Sequence, residues 1–400
     1  MVARSSLFDS GRPSAALALL GLALVACSQG EPLPFEPAGP DAAPDPKALG
    51  PYPVGVRTVT LFDPTRKTPG MTTPRKLVTE IWYPAVEAAR GQPGRVYRVR
   101  DILSDETIRT ASITLDLEFA TDAVLDAEPR AEDGPFPVVF FSHGANAMRM
   151  QSTYVLPWLA SHGYVVISPD HEGNLLEDIV KAGGELELSI YPELLYLRPD
   201  DIRFLMEHFR LLDPPDPMAG LADFSKVGVF GHSFGALTTA RVAAMADAQY
   251  PVHCAIAQAP PTHGLSLLGV ETPLSAQRFP IMIQGGTLDR TTTVDQARSY
   301  WPELSVPRME LILETAGHFT FSDLCRIDPA LIAQVTESNA LTDGCGPENV
   351  PYEKSSIVLR HFTIGAFNAF LRGSTATEAL LEPGAAPPLA DVPMTWRAEL

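Results

Sequence analysis

Residues Val227–Ala246 read VGVFGHSFGALTTARVAAMA. An apolar run that ends at Phe230 is followed by Gly231-His232-Ser233-Phe234-Gly235 and then by an alanine-rich segment. The pattern G-x-S-x-G gains meaning in this setting, with a strand before it and a helix after it. The two glycines leave room where the chain reverses, so Ser233 is expected to stand above the end of a sheet. The helix N-terminus behind it favours negative charge that develops nearby. Ser233 is therefore the candidate nucleophile, against the plainer reading of a structural turn serine.

A serine hydroxyl attacks poorly until a base removes its proton, and the base needs an acid to hold its tautomer. Nine histidines are present. His318, in LILETAGHFTFSDLC, follows a late apolar run and a small-residue turn, where such a base belongs. His361 falls within the final helical pattern and His253 begins a strand, so both read as structural. Asp289, in QGGTLDRTTT, lies after another apolar run and between serine and histidine in chain order. Asp295 is its weaker rival. The order Ser233, Asp289, His318 is the one that a sheet enzyme with this elbow uses. Two backbone amides are needed for the oxyanion. Phe234, directly after the nucleophile, is one candidate donor. Ala145, in FFSHGANAMR at the end of another strand, is the second. His232 and His171 are candidate substrate-binding residues at strand ends, where open α/β sheets bind ligands; for His171-Glu172 a hydrogen-bonded loop pair is an equal reading.

Outward from the elbow, short apolar runs alternate with helical patterns. Strands are expected at Val56–Phe62, Leu77–Tyr83, Phe136–Ser142, Tyr164–Ser168, Val227–Phe230, Cys254–Ala257, Pro280–Gln284 and Met309–Leu313. Runs such as PVVFF and YVVIS are apolar on both faces, as strands covered on both sides must be. Helices are expected around 151–161, 199–211, 234–247, 292–301 and 355–371, with Trp158, Phe204 and Phe209 as core residues. The alternation predicts an α/β fold with a mainly parallel central sheet and helices on both faces, the first two strands forming an antiparallel edge. Segments 101–133, 172–197 and 319–353 exceed ordinary connections and are candidate walls or a lid. HEGN lacks a second histidine at zinc spacing, and no glycine pattern suits phosphate, so neither metal nor nucleotide cofactor is expected.

The chain has 400 residues, enough for a large core without staples, and its 29 glycines and 38 prolines stay below the share of a low-complexity polymer. A formal net charge of −18 repels polyphosphate and argues against a nucleic-acid partner. Residues 1–26 read as an export signal: Arg4 and Arg12 precede the apolar run Ser14–Ala26, which is too short for the roughly 20 residues of a membrane-spanning helix. Leu24-Val25-Ala26-Cys27 resembles the lipobox of bacterial lipoproteins, which implies lipidation at Cys27, anchoring in the cell envelope and membrane contact through the lipid alone; the plainer reading is an ordinary signal peptide. Residues 27–53 form a proline-rich acidic spacer, 54–372 the catalytic domain, and 373–400 a loose C-terminal tail. An oxidising compartment permits disulfides. Cys325 and Cys345, in polar sequence, would close a loop of about 20 residues, worth about 3 kcal/mol, while Cys254 reads as a small buried hydrophobe.

The pieces EIWYPA, FFSHGAN, GYVVISPDHEGN, GHSFGA, GGTLD and AGHFTFSDLC resemble α/β-hydrolases of the group containing dienelactone hydrolase-like proteins, platelet-activating-factor acetylhydrolases and cutinases. The resemblance implies the α/β-hydrolase fold, with Ser233 as nucleophile, Asp289 as acid, His318 as base, and Ala145 and Phe234 as oxyanion donors. In the acetylhydrolases the acid follows the strand after the elbow, where this chain has Ala257-Gln258-Ala259, so Asp289 and the cutinase or dienelactone arrangement are favoured. A serine in place of dienelactone hydrolase's cysteine keeps that substrate from carrying over. The expected function is an exported serine hydrolase of carboxylic esters, of short-acyl, lipid or polyester type, with preference for short acyl groups. The rival from another class is a non-catalytic surface lipoprotein using the scaffold for binding; a peptidase or perhydrolase would use the same groups.

Overall fold

The strand Phe136–Ser142 is buried along its whole length, and its side chains alternate between two cores: Val138 and Phe140 enter one, Val139 and Phe141 the other. That period of two across a strand with no wet face is what a sheet sandwiched between helices requires. The computed structural model describes residues 45–114, 118–184, 188–261, 274–327, 342–385 and 389–400. The expected leader, Cys27 and residues 27–44 of the spacer lie outside them.

Twelve strands are described: β1 (Val54–Asp63), β2 (Arg75–Pro84), β3 (Val96–Arg98), β4 (Glu118–Ala120), β5 (Val124–Leu125), β6 (Phe136–Ser142), β7 (Val165–Pro169), β8 (Ala222–His232), β9 (Cys254–Gln258), β10 (Ile281–Gly286), β11 (Arg308–Leu313) and β12 (Met394–Glu399). Ten of them form one sheet in the order β12-β11-β10-β9-β8-β6-β7-β2-β1-β5. From β11 to β7 every pairing is parallel; β2 joins β7, and β1 joins β2, antiparallel. The eight expected strands are therefore present, with the antiparallel edge where it was expected. On one face lies the helix Tyr352–Arg372, with Val358, Phe362 and Phe367 against Phe230 and Ile256. The helices Tyr191–Arg210 and Phe234–Ala244 cover the other, with Leu205 and Ala240 against Val229 and Ile283. Phe209 is buried there, while Trp158 and Phe204 sit half-buried at the margins of the two cores.

Two expected boundaries are corrected. The spacer's last residues are already packed: Gly50 donates its N–H to Ser161 Oγ, the His162 ring is 2.8 Å from Ala48 O, and Tyr52 is buried. The C-terminal segment is no loose tail either. After the helix Thr375–Leu381 it adds β12 to the sheet edge, antiparallel to β11, with Trp396 donating to Leu381 O and Arg397 paired with Glu310. Proline content was a poor guide here, because the ladder that holds β12 pairs it with a strand far back in the chain, from Leu313 opposite Met394 to Arg308 opposite Glu399. The small sheet β3–β4, also unexpected, presents Tyr97 and Phe119 beside the carboxyl ends of the main strands.

Candidate active site

The elbow is built by close approach. A Cβ on Gly235 would lie 1.8 Å from Ser142 O, and one on Gly231 would lie 2.4 Å from Gly235 O, so neither position accepts a side chain. Between them Ser233 has φ 56° and ψ −121°, a conformation that costs an L-residue of order 1–3 kcal/mol and is retained where geometry demands it. The helix Phe234–Ala244 starts at once and aims its N-terminus at the turn.

His318, in the short turn after β11, brings Nε2 to 2.8 Å from Ser233 Oγ and Nδ1 to 3.0 Å from Asp289 Oδ2. With Nδ1–H donated to the carboxylate, Nε2 is left as acceptor for the serine proton, which is the tautomer that general-base catalysis needs. Asp289 follows β10 and is itself held: it accepts the N–H groups of Thr291 and Thr292 on Oδ1 and the Thr292 hydroxyl on Oδ2. Asp295 lies exposed at the start of the helix Val294–Arg298 and takes no part. Gln258, the residue at the alternative acid position, is buried between Tyr154 and Gln284.

Ala145 and Phe234 flank the nucleophile, and neither amide has a hydrogen-bond acceptor among the described residues. Gly144 lies against Ser233, within 3.6 Å of its Cβ measured from an ideal Cβ position. Two amides in this position could receive an oxyanion on Ser233's substrate.

The two histidines expected to touch substrate do other work. His232 borders the cavity but is buried, with Nε2 donating to His318 O and Nδ1 accepting from Gln151 Nε2. Gln151 Oε1 in turn accepts the Gly144 N–H at 2.6 Å. One glutamine therefore ties the turn before Ala145 to the elbow and, through His232, to the base. Burial and the facing His318 ring hold His232 well below the usual imidazole range, which keeps it neutral and the chain of donors intact. His171 is a correction: it is fully buried behind the turn, outside the cavity lining, bonded to Ser142 Oγ at 2.9 Å and to Asp201 Oδ2 at 2.8 Å. Its position at a strand end was read rightly, but the helix Tyr191–Arg210 covers that end.

Sequence reasoning missed Gln151, Thr292 and Asp343. Asp343 accepts the N–H groups of His318 and Arg290 and the Thr291 hydroxyl, and so clamps the acid turn to the base turn. The Cys325–Cys345 disulfide expected from the sequence is present two residues beyond it, and Cys254 is buried and free. That closeness was the one available signal for Asp343.

Above Ser233 and His318 is a cavity of about 380 Å³. All three long insertions wall it, through Ile102 and Phe119, Leu176 and Tyr191, and Phe319 and Leu324. The expectation of walls thus holds for the described parts of these segments.

A family model described as Chlorophyllase matches residues 105–266, a stretch that holds Ala145 and the elbow but ends before Asp289 and His318. No curated protein matches the chain. Among solved structures, a ferulic acid esterase from Streptomyces cinnamoneus is similar in fold, with a TM-score of 0.64 at 23% identity over 86% of this chain and 96% of that one. With a parallel sheet, a strand–elbow–helix unit at its centre and both likenesses pointing the same way, the chain has the α/β-hydrolase fold and is similar to ester hydrolases that share it.

Proposed function

We propose that the protein is an exported serine esterase that cleaves carboxylic esters carrying one bulky apolar group, through Ser233, His318 and Asp289. The observation that carries this reading is the hydrogen-bonded run Ser233–His318–Asp289 at the floor of an apolar cavity. Ser233 Oγ attacks the ester carbonyl as His318 Nε2 takes its proton. The carbonyl oxygen, now negative, is received by the amides of Ala145 and Phe234. His318 returns the proton to the leaving alcohol, and water, deprotonated by the same histidine, releases the acid from Ser233. Asp289 stabilises the imidazolium throughout. A volume of about 380 Å³ lies at the low end of small-molecule sites, and Tyr97, Phe119, Met148 and Ile179 along its walls favour an aromatic or medium aliphatic group over the acetyl-sized group expected from the sequence. The lipobox-like Leu24–Cys27 and the disulfide support export, with Cys27 as lipid anchor.

Labelling with a fluorophosphonate, together with a panel of p-nitrophenyl and aryl esters on wild type and Ser233→Ala, tests the reading. Ser233-dependent labelling and faster turnover of phenylacyl or octanoyl esters than of acetate are expected. Absent labelling would leave a non-catalytic binding scaffold as the better account, and faster acetate turnover would restore the short-acyl preference. Amide and peracid substrates run alongside separate a peptidase or perhydrolase. Cys27→Ser is expected to move the protein out of the membrane fraction.

A further inference from the structure

Behind the turn that carries Ala145 lies a second serine–histidine–aspartate run. Ser142 Oγ is 2.9 Å from His171 Nε2, and His171 Nδ1 is 2.8 Å from Asp201 Oδ2. All three are buried and none lines the cavity, so this run has no route to a substrate. What it does have is two fully buried guanidinium groups. Arg75 makes a two-pronged pair with Asp201, at 2.6 and 2.7 Å. Arg198, from the helix Tyr191–Arg210, has no carboxylate within ion-pair distance among the described residues. Its partners are neutral acceptors: Ser142 Oγ, the His143 carbonyl and Asn174 Oδ1.

Direct ion pairing therefore does not reach Arg198. His171 is neutral, since burial, followed by the nearby Arg198, pushes it down to about 3, and Asp201 is bonded to both Arg75 and Arg66. Arg198 has Asp201 as its nearest negative charge but makes no direct ion pair with it, and that carboxylate is already engaged by those two guanidinium groups. Burying an ion without a direct partner is costly, and burial draws even this guanidinium down to about 9. A cost of that kind is kept where function uses the field it creates.

Its place says which function. Arg198 holds the carbonyl of His143, two residues before Ala145, and its guanidinium stands over the Phe234 ring at 4.9 Å from the centroid. Through Asn174 it also reaches Asn146, the residue after Ala145, which sits at φ 52°. One side chain thus contacts the segments of both candidate oxyanion donors.

We infer that Arg198 is a positioning residue for the oxyanion hole, aligning the Ala145 turn with Phe234 and lending to the oxyanion of the tetrahedral intermediate a buried positive charge that has no direct ion pair. The inference rests on the esterase reading. Such a charge acts more strongly in a dry site than in water and more on the intermediate than on bound substrate. Loss of it is expected to lower kcat and leave KM nearly unchanged.

Three variants test it: Arg198→Met removes the charge, Arg198→Lys keeps it, and Asn174→Asp supplies a counter-ion of the same shape. Each is assayed for kcat and KM on an aryl ester, for inhibition by an arylboronic acid that forms a tetrahedral anion on Ser233, and for thermal stability. Arg198→Met and Asn174→Asp are expected to lose about 10- to 100-fold in kcat, less than removal of an oxyanion donor itself, with KM within about threefold and boronate affinity falling in step with kcat. Arg198→Lys recovers most of the rate, and Asn174→Asp melts no lower than wild type. A folded Arg198→Met with wild-type kcat, or equal loss in Met and Lys variants, overturns the inference. If Arg198→Met does not fold, Asn174→Asp decides alone: unchanged kcat and boronate affinity sink the proposal. An inert wild type would instead refute the esterase reading itself.

Discussion

Ser233 is held at a positive φ by two glycines that touch backbone, and this contact has a direct consequence. Any side chain at 235 must displace Ser142 O, and with it the strand end that leads to Ala145. Gly235→Ala is expected to lose at least about 2 kcal/mol of stability through overpacking and to become inactive, even though alanine is the better helix former. Denaturant unfolding with parallel fluorophosphonate labelling checks this; wild-type labelling in a fully folded variant would contradict it. At this scale much was readable. Ser233, Asp289 and His318 announce themselves because each ends an apolar run at a tight turn. Gln151 and Arg198 do not, because a glutamine on an irregular loop and an arginine in a long helix look like surface residues until burial is known.

At the scale of elements, the site is an assembly of strand ends locked by loops. The Cys325–Cys345 bridge closes a 20-residue separation beside Asp343, whose carboxylate receives amides from both the acid and base turns. Replacing both cysteines by serine is expected to cost about 3 kcal/mol from loop entropy. It should also lower kcat, since Asp343 loses its tether while Ser233 and Asp289 stay in place. Thermal melts and turnover of the double variant, compared with wild type under reducing and oxidising conditions, measure both effects. A lower melting temperature with full kcat would show that Asp343 is held without the bridge. The three long insertions follow the same logic: their lengths marked them as walls, but which apolar residues face the cavity depended on tertiary contacts, in the first of them on how β3 and β4 paired.

For the whole molecule, the buried histidines set the response to acid. His162 and His171 are drawn by burial to about 4 and about 3, from about 6.5 in the unfolded chain. Folded-state values below the unfolded one mean that the unfolded chain binds more protons between those limits. Stability is therefore greatest above about pH 6.5 and falls as the pH drops towards 4. At pH 5 each of the two histidines withdraws about 2 kcal/mol relative to pH 8. Urea midpoints at the two pH values provide the measurement, and an unchanged midpoint would show that these rings are not held neutral.

Sequence by itself determined the alternation of buried strands and helices, the elbow, the turns that carry Ser233, Asp289 and His318, and the disulfide, because each is written in a local pattern of apolar periodicity, glycine placement or cysteine spacing. Only tertiary structure decided that β12 completes the sheet, that His171 is turned inward rather than towards substrate, and that Arg198 is buried with neutral hydrogen-bond partners. The reason is physical: burial and pairing belong to contacts between segments far apart in the chain, and the same histidine or arginine is a surface group or a buried one according to which helix packs over it.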